Sequence, residues 1–163
     1  MGLRNKALTG SAIAAMAIAT PFIGGLEGMK SIPYKDIGGV WTVCYGETHN
    51  INFSHEYTKD ECDKMLAARV PDYYNSAMIY IKDVEDVPIT MRAAITSFNY
   101  NVGSGNFYRS TLLRKVNKKD YWGACKELDK WVYAANMYVR GLANSRAAEK
   151  RLCIAELKGG NGA

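Results

Sequence analysis

Residues Ala7 to Leu26 form an uncharged run of twenty residues, and Glu27 follows it directly. As a helix, such a run spans about 30 Å, close to the hydrocarbon thickness of a bilayer. Arg4 and Lys6 precede the run. The positive-inside rule therefore predicts a cytoplasmic N-terminus and an exported remainder, if the run enters a membrane. A run of this length must be buried in a membrane or in a protein core, and this limits what the chain can fold into.

The uncharged run is weakly hydrophobic for a membrane segment. Twelve of its twenty residues are Ala, Gly, Thr or Ser, whereas Leu, Ile and Phe supply most of the free energy of insertion. Pro21 is expected to disturb a helix near its outer end. Four interpretations stay open: a signal peptide cleaved after Ala17-Ile18-Ala19, a permanent anchor, a core helix, or a segment that inserts, leaves the membrane and packs on the domain. Weak hydrophobicity argues against the permanent anchor and is what the last interpretation requires.

Composition predicts one folded domain and argues against a nucleic-acid partner. The chain has 163 residues, of which 48% are apolar, so it can bury a real core. The net charge is +5, and it becomes +3 without Arg4 and Lys6, with 19 basic and 16 acidic residues left. This mild excess favours anionic surfaces such as cell-wall polymers or phospholipid headgroups. No basic stripe with interleaved aromatic residues is present, so nucleic-acid binding is not predicted.

Turn and helix signals after the run predict an α+β fold with a small β-rich lobe and a larger helical lobe. Residues 33–53 have the β-branched, aromatic and glycine content of short strands and turns. Thr58 and Glu61 predict a capping box at the start of a helix, which Pro71 is expected to interrupt. Pro88 suits the first turn of a helix through Tyr100. Further expectations are a loop at 103–105, a helix opening at 106–107 that contains Leu112 and Leu113, and helices over 118–133 and 144–157.

Glu27, Asp36 and Thr42 form the pattern E-x8-D-x5-T directly after the uncharged run. Cleavage of a glycosidic bond needs a proton donor at the leaving oxygen and a second carboxylate across the bond. Glu27 lies at the edge of an apolar segment, where a raised pKa is expected to keep it protonated. Asp36 lies in a glycine-flanked turn and is expected to be ionised, and the Thr42 hydroxyl could position a water. Each residue also has an explanation that involves no catalysis. Glu27 could be the polar flank of a membrane segment, Asp36 a turn residue and Thr42 a strand former.

The residues around this pattern resemble the active-site region of the phage T4-type lysozyme family. The resemblance runs from about residue 25 to 155 and includes the following stretches: Gly25-Leu26-Glu27-Gly28, Tyr34-Lys35-Asp36, Gly39-x-Trp41-Thr42 with Gly46 four positions on, Asn101 to Phe107, Ser110 to Leu113, and Gly141-Leu142 followed by Arg146 and Glu149. With the weakly hydrophobic run, the chain is similar to the signal-anchor-release endolysins of that family. A lysozyme-like fold with an N-terminal weakly hydrophobic helix is therefore expected.

The resemblance implies a muramidase that cuts the β-1,4 bond between N-acetylmuramic acid and N-acetylglucosamine in peptidoglycan and causes host cell lysis. It implies that Glu27 is the general acid, that Asp36 is the base or water-orienting carboxylate, and that Thr42 holds the nucleophilic water. No cofactor and no metal are implied.

Three further residues, Tyr100, Asn101 and Ser110, match family positions that line the sugar cleft. The alternative for these residues is ordinary packing at a helix end.

The resemblance also implies partners, location and regulation. Residues 1–26 would form the signal-anchor-release segment and residues 27–163 the lysozyme domain. The host export machinery and, through residues 7–26, the inner membrane would be transient partners of a monomer. Its catalytic domain would be periplasmic and inactive until a holin depolarises the membrane and the anchor escapes. Because Leu26 and Glu27 are adjacent, an embedded run also holds Glu27 at the bilayer surface, away from Asp36.

Two positions depart from the family pattern. Many members carry a histidine where this chain has Glu47, which puts in doubt any structural pairing made by that histidine. A frequent double arginine is Ser145-Arg146 here. Arg146 is expected either to pair with a carboxylate near the cleft or to lie on a solvated helix face.

The four cysteines, an even number in a chain predicted to be exported, permit disulfides. Of the three pairings, we favour Cys44–Cys62 and Cys125–Cys153, one within each lobe; four buried thiols are the alternative. No cysteine precedes Cys44, so control of activity by an anchor thiol is not expected. His49 and His55 have no zinc-ligand spacing.

Rival functions stay open at this point. A lytic transglycosylase would leave anhydro-sugar ends and would not need Asp36 and Thr42 to handle water. A non-enzymatic membrane-disrupting effector would use the uncharged run and leave the rest of the chain without a role. A wall-binding protein that reuses the fold is the third alternative.

Overall fold

The computed structural model describes residues 8–157, so Arg4, Lys6 and Ala7 lie outside the described residues. The elements in chain order are α1 (Gly10–Glu27), β1 (Lys30–Lys35), β2 (Trp41–Cys44), α2 (Lys59–Met78), α3 (Ile89–Val102), α4 (Ser104–Tyr108), α5 (Thr111–Asn117), α6 (Tyr121–Glu127), β3 (Tyr133–Ala134), β4 (Met137–Tyr138) and α7 (Arg140–Ile154). Short 3-10 turns cover Val84–Asp86 and Leu128–Lys130. The predicted small β-rich lobe and larger helical lobe are confirmed.

The β-rich lobe is an antiparallel pair, in which Tyr34 faces Thr42 and Lys35 faces Trp41. The turn between the strands is closed by Asp36: its backbone N–H donates to Val40 O (3.0 Å), and its Oδ1 accepts from Val40 N–H (2.9 Å). The register is irregular between Lys30 and Tyr34, in the stretch that contains Pro33, which has no N–H to donate to the ladder. The turn thus sets Asp36 and Thr42 at one end of the lobe.

Helix α2 begins at the predicted capping box and continues through the predicted break. Glu61 N–H donates to Thr58 Oγ1 (3.2 Å), and Thr58 N–H donates to Glu61 Oε2 (2.7 Å). The interruption at Pro71 is wrong, because α2 runs unbroken to Met78. Pro71 leaves the Ala67 carbonyl without its helical donor, but Ala67 is exposed and water can replace that donor.

Helix α3 lies at the centre of the helical lobe, with α1, α2 and α7 packed around it. Its residues from Met91 to Asn99 are all buried. Pro88 precedes the first turn in extended conformation, and Arg92 N–H donates to its carbonyl (3.0 Å). The predicted helix from Pro88 through Tyr100 is therefore confirmed, with its end at Val102.

Helix α1 packs on α3 and α2 through one face. The buried positions recur at helical spacing, as Ala12, Ala15, Met16, Ala19 and Ile23. The helix is also long and apolar enough to cross a membrane by length and composition, a test that core helices pass as well. Pro21 is exposed and does not end the helix, so the expected disturbance is not observed. In this structure residues 10–26 of the uncharged run belong to a helix of the domain.

The second half of the helical lobe is more broken than predicted. Ser104 and Gly105 belong to α4, not to a loop, and Gly103 (φ +84°) is the joint before it. The expected helix over 118–133 ends at Glu127 and a 3-10 turn, and α7 begins four residues earlier than predicted, at Arg140.

The hairpin of β3 and β4 was missed. Its two turn residues, Ala135 (φ +49°) and Asn136 (φ +62°), both adopt left-handed backbone conformation, as a two-residue type I′ turn requires. Ala-Asn lacks the glycine that usually marks such a turn, so the sequence carried no signal for it.

Both favoured disulfides are confirmed, and the alternative of four free thiols is wrong. Cys44–Cys62 joins β2 to α2, with an 18-residue separation, and Cys125–Cys153 joins α6 to α7, with a 28-residue separation. Cross-links over loops of this size each stabilise a fold by about 3 kcal/mol in the chain-entropy account. Cys44–Cys62 thus holds the β-rich lobe against the helical lobe, so the expectation that each bridge lies within one lobe is wrong for this bridge.

Candidate active site

A cleft of about 290 Å³ opens where α1, the β-rich lobe and α3 meet. The residues that line it are Glu27, Tyr34, Asp36, Thr42, Gly46, Thr48, Tyr100 and Asn101. Five of the six residues predicted for catalysis or sugar binding thus surround a single cavity, although they come from three separate parts of the chain.

Glu27 is the last residue of α1, and Gly28 (φ +68°) closes the helix by donating its N–H to Gly24 O (3.3 Å). The side chain reaches solvent through the cleft, but burial by the surrounding protein raises the pKa of its carboxyl, and Arg146 lowers it by a smaller amount. The negative end of the α1 dipole acts in the same direction as burial. Glu27 therefore keeps its proton to higher pH than an ordinary glutamic acid.

Asp36 and Thr42 face the cleft from the β-rich lobe. Asp36 is exposed, and its Oδ1 accepts from Val40 N–H (2.9 Å), which leaves Oδ2 open to the cleft. Thr42 is buried, with 4% of its surface exposed, and its hydroxyl donates to Val40 O (3.0 Å). Because that donation uses the hydroxyl hydrogen, Thr42 Oγ1 can only accept a hydrogen bond from a molecule in the cleft.

Tyr100 and Asn101 line the cleft from the last turn of α3. The Tyr100 hydroxyl donates to Tyr45 O, its ring lies 4.6 Å from the Tyr73 ring, and burial raises the pKa of its hydroxyl. Asn101 is exposed, and its Oδ1 accepts from Arg146 Nη1 (3.0 Å). The Asn101 amide NH₂ is thereby turned away from Arg146 and is available as a donor.

Behind the cleft, Arg146 and Glu149 of α7 form a buried ion pair. Arg146 Nε lies 2.6 Å and Nη2 2.8 Å from the carboxylate oxygens of Glu149, and both side chains are at most 2% exposed. Ser97 Oγ donates to Glu149 (2.7 Å), and the guanidinium lies 5.1 Å from the Phe98 ring. Burial raises the pKa of Glu149 to about 7 against the opposing effect of Arg146. Of the two expectations for Arg146, pairing with a carboxylate is confirmed and a solvated face is wrong.

The sequence profile of the phage lysozyme family matches residues 24–149, which include every residue lining the cleft. This chain belongs to the phage lysozyme family. A SAR-endolysin from Enterobacteria phage P21 is 46% identical to it over 145 residues, which are 88% of this chain and 87% of that protein. This lysozyme is accordingly a peptidoglycan-hydrolysing enzyme.

Two solved structures have the same fold as this lysozyme. The muramidase domain of SpmX from Asticaccaulis excentricus superposes with a TM-score of 0.77 at 22% identity, over 83% of this chain and 94% of that one. The active form of the P1 phage endolysin Lyz superposes with a TM-score of 0.74 at 21% identity, over 94% and 98%. At these identities the likeness establishes the lysozyme-like fold.

Ser110 is not among the residues that line the cleft of this lysozyme, so the structure does not bring it together with the other predicted site residues. Its hydroxyl donates to Phe107 O (2.7 Å) and accepts from Leu113 N–H (3.1 Å), and 3% of the residue is exposed. Ser110 is the N-cap of α5. Its hydroxyl is used by the fold, because an uncapped helix end leaves backbone N–H groups without acceptors.

Glu47, which stands where many family members have histidine, makes a structural pairing of its own. Arg69 donates to its carboxylate from Nε (2.8 Å) and Nη2 (3.2 Å), and the N–H groups of Thr48 and His49 donate as well (2.9 and 2.8 Å). Burial alone would raise the pKa of Glu47, but these hydrogen bonds outweigh it and lower the pKa to about 2. The Glu47–Arg69 pair links the residues after β2 to α2.

Three residues that line the cleft had no predicted role: Tyr34, Gly46 and Thr48. Tyr34 and Gly46 lie in stretches that carried the family resemblance, and this was a usable signal; Thr48 had none. Gly46 (φ +96°) also brings the backbone close to Tyr100, since a Cβ built there lies 3.5 Å from the Tyr100 hydroxyl. Among residues 8–157, no group of three or more His, Cys, Asp or Glu side chains could hold a metal ion.

Proposed function

We propose that this lysozyme is a phage endolysin that hydrolyses the β-1,4 bond between N-acetylmuramic acid and N-acetylglucosamine, with Glu27, Asp36 and Thr42 as its catalytic residues. The observation that carries the proposal is the cleft, where a carboxyl with a raised pKa and a solvated carboxylate line the same cavity. This is the pair of carboxyl environments that glycoside hydrolysis requires. The name of the P21 relative, a SAR-endolysin, supports the same activity.

Glu27 acts as the general acid. Its protonated carboxyl donates to the glycosidic oxygen as the bond to the anomeric carbon breaks, so the leaving sugar departs as a neutral alcohol. After the transfer, the Glu27 carboxylate is stabilised by Arg146, whose charge lowers the pKa of that carboxyl. Arg146 itself is held in place by Glu149 and Asn101.

Asp36 and Thr42 act on the nucleophilic water. Because the Thr42 hydroxyl donates to Val40 O, the water donates one hydrogen to Thr42 Oγ1 and the other to the open oxygen of Asp36. This leaves a lone pair of the water directed at the anomeric carbon. Asp36 takes the proton as the carbon–oxygen bond forms, so the reaction consumes one water and regenerates the acid and base by proton exchange. Tyr100 and Asn101 contact the glycan from the other side of the cleft.

We further propose that residues 1–26 form a signal-anchor-release segment and residues 27–163 the lysozyme domain. The host export machinery would insert the segment into the inner membrane with its N-terminus in the cytoplasm. Glu27 then sits at the bilayer surface and the enzyme in the periplasm is inactive. When the segment leaves the membrane it folds as α1, and Glu27 reaches the cleft as the last residue of that helix. The released enzyme acts in the periplasm as a monomer.

The activity is tested with purified protein on isolated peptidoglycan, comparing Glu27→Gln with Glu56→Gln, an exposed glutamate of the β-rich lobe. The first variant is expected to lose activity about 100-fold to 10,000-fold, the contribution of a general acid, and the second to keep it. Mass spectrometry of the products distinguishes the chemistry: hydrolysis leaves reducing N-acetylmuramic acid ends, and a lytic transglycosylase leaves anhydro ends. Full activity in Glu27→Gln would overturn the assignment of the acid.

The anchor is tested by making the exposed face of α1 more hydrophobic with Ala17→Leu and Gly25→Leu. Both positions are exposed, and a Cβ at Gly25 meets nothing within 4 Å, so the released fold should accept them. Stronger insertion is expected to keep the protein in the membrane fraction and to delay lysis after depolarisation with an uncoupler. Release at the wild-type rate would contradict the proposed segment.

A further inference from the structure

The N-terminal end of α1 is held by a polar cluster on the turn before α3. Thr9 Oγ1 donates to Glu85 Oε1 (3.0 Å), and Ser11 Oγ donates to Glu85 Oε2 (2.6 Å), so both carboxylate oxygens are bound by α1. Thr9 Oγ1 also accepts from Ala12 N–H (3.2 Å) as the N-cap. Glu85 lies at the positive end of the α1 dipole, where a carboxylate is favourable.

Arg92 connects this cluster to the core. Its side chain is 2% exposed, although it carries a full charge. Its Nη1 donates to Ser11 Oγ (3.0 Å) and to Tyr74 OH (3.3 Å), and its Nε donates to Val87 O (3.0 Å). A buried guanidinium requires such partners. Ser11 is the partner that α1 supplies, and it is lost if α1 leaves.

The apolar contacts of α1 and the polar cluster both restrict its position along the helix axis. Three of its five buried residues are alanines, Ala12, Ala15 and Ala19, and the other two are Met16 and Ile23. A shift by one turn, about 5.4 Å, would set a residue of different size in most of these places. The same shift would leave the buried Arg92 with an unpaired donor. The polar cluster therefore adds the cost of an unpaired buried donor to any other axial register.

We infer that Glu85 and Arg92 are positioning residues for Glu27: by binding Thr9 and Ser11, they set the axial register of α1 and so place the catalytic acid in the cleft. Helix α1 has 18 residues, so its two ends are about 27 Å apart. A helix transmits an axial shift along its full length, and a 1 Å misplacement at a reacting centre can cost about 100-fold in rate. The inference rests on the proposed role of Glu27.

The same cluster explains hydroxyl groups in a segment that is otherwise apolar. Thr9 and Ser11 weaken the hydrophobicity of the run and supply the two groups that Glu85 binds. In a membrane-tethered form these hydroxyls would be at the opposite end of the segment from the domain, and the Glu85–Arg92 pair would lack them. The pair is thus a binding site for one end of the released helix.

The test changes each side of the cluster separately. On the helix, Ser11→Ala removes the hydroxyl and Ser11→Thr keeps it; Thr20→Ala is the matched control, because its hydroxyl bonds Met16 O within α1 and nothing outside it. On the receiving side, Glu85→Ala is compared with Asp86→Ala, whose carboxylate bonds Lys119 and not α1. Glu85→Ala leaves the composition of the membrane segment unchanged.

Purified full-length variants are assayed for kcat and KM on isolated peptidoglycan and for hydrogen exchange of the α1 amides. Ser11→Ala and Glu85→Ala are expected to lower kcat about fivefold or more, the factor that one hydrogen bond contributes to an equilibrium, with KM unchanged. Their α1 amides should exchange faster by a similar factor. Ser11→Thr, Thr20→Ala and Asp86→Ala should match wild type in both measurements.

Wild-type kcat and wild-type exchange in both Ser11→Ala and Glu85→Ala would overturn the inference, as would an equal loss in Thr20→Ala. A loss of kcat accompanied by the same rise in exchange across α3 would mean general unfolding and would also overturn it. If Glu27→Gln is fully active, the proposed role of Glu27 fails. In that case the hydrogen exchange of the α1 amides, without kcat, still shows whether the polar cluster holds the helix.

Discussion

Helices α1 and α3 pack against each other, yet they are built in opposite ways. Helix α3 buries every residue from Met91 to Asn99 and includes large side chains such as Phe98. Helix α1 buries one stripe, made mostly of alanine, and leaves Ile13 56% exposed. Helix α3 is surrounded by other elements, whereas α1 covers one side of the lobe. A helix such as α1 can be absent without opening the whole core.

The cleft combines residues from both kinds of element. Glu27 comes from α1, while Asp36 and Thr42 come from a lobe tied to α2 by the Cys44–Cys62 disulfide. Asp36 and Thr42 are therefore on a lobe that is cross-linked to α2, and Glu27 is carried on the helix that we propose to be a releasable anchor. An enzyme built this way can be folded for the most part and still lack activity.

The largest expected effect comes from preventing α1 from packing. Ala19 is fully buried and Ala17 is exposed on the same helix. Ala19→Asp places an unpaired charge against α3, so Glu27 should be displaced and activity should fall more than about 100-fold. Ala17→Asp adds the same charge to the segment and should retain activity. Peptidoglycan hydrolysis by the two purified variants checks this, and equal activities would show that α1 packing is not required.

The second prediction compares a cavity in each helix. Phe98→Ala removes a ring packed on Phe107, Trp131 and Arg146, and should lower the free energy of unfolding by about 3–5 kcal/mol. Ile23→Ala in α1 should cost about 2 kcal/mol, at the lower end of its range, because neighbours of a peripheral helix can relax. Denaturant titrations followed by tryptophan fluorescence measure both. The comparison breaks if Ile23→Ala costs as much as Phe98→Ala.

The third prediction concerns Glu47, whose bonds to Arg69 hold the β-rich lobe to α2. Its pKa is lowered from 4.5 to about 2, so the folded state prefers the ionised form. This contribution to stability is present above pH 4.5 and is lost as the pH falls towards 2. The shift corresponds to about 3 kcal/mol, and solvent screening at the partly exposed Arg69 leaves a contribution on the order of 2 kcal/mol. Thermal unfolding of Glu47→Gln should depend on pH less steeply than wild type over that window; parallel curves would exclude the linkage.

The prediction with the smallest expected effect tests whether Arg146 and Glu149 on α7 influence the pKa of Glu27 on α1. Activity should fall as the pH rises through the pKa of Glu27, because the acid must be protonated. Glu149→Gln removes the carboxyl that pairs with Arg146 and leaves the charge of Arg146 to act on Glu27. This change lowers the pKa of Glu27, so the alkaline limb of kcat/KM should move to lower pH. If the alkaline limb does not move in a variant whose melting temperature confirms folding, then Glu149 on α7 does not influence the pKa of Glu27.

Local signals predicted the parts of the fold that depend on neighbouring residues. The capping box at Thr58 and Glu61 needs only a three-residue spacing, and it formed as expected. The interruption at Pro71 was wrong because an exposed carbonyl can lose its donor to proline without ending the helix. The β3–β4 hairpin was missed because left-handed turn residues carry no signal when one of them is alanine.

The residues of the candidate site were also predicted only in part from the sequence. Residue types and spacing pointed to Glu27, Asp36 and Thr42, and the family resemblance added Tyr100 and Asn101; all five line the cleft. Ser110 matched the same resemblance but faces its own helix end, since its hydroxyl is used as an N-cap. A motif position alone does not tell whether a hydroxyl faces a cleft or the backbone.

By itself, the sequence determined the uncharged segment, the acid that ends it, the lobe order and the cysteines available for pairing, because these follow from residue chemistry and short spacing. Only the tertiary structure decided that the segment lies on α3 as a helix, that Glu85 and Arg92 receive its polar end, and that Arg146 pairs with Glu149 beneath the acid. Each of these contacts joins residues or helices whose relative position local propensities do not set. They depend on how the whole chain packs.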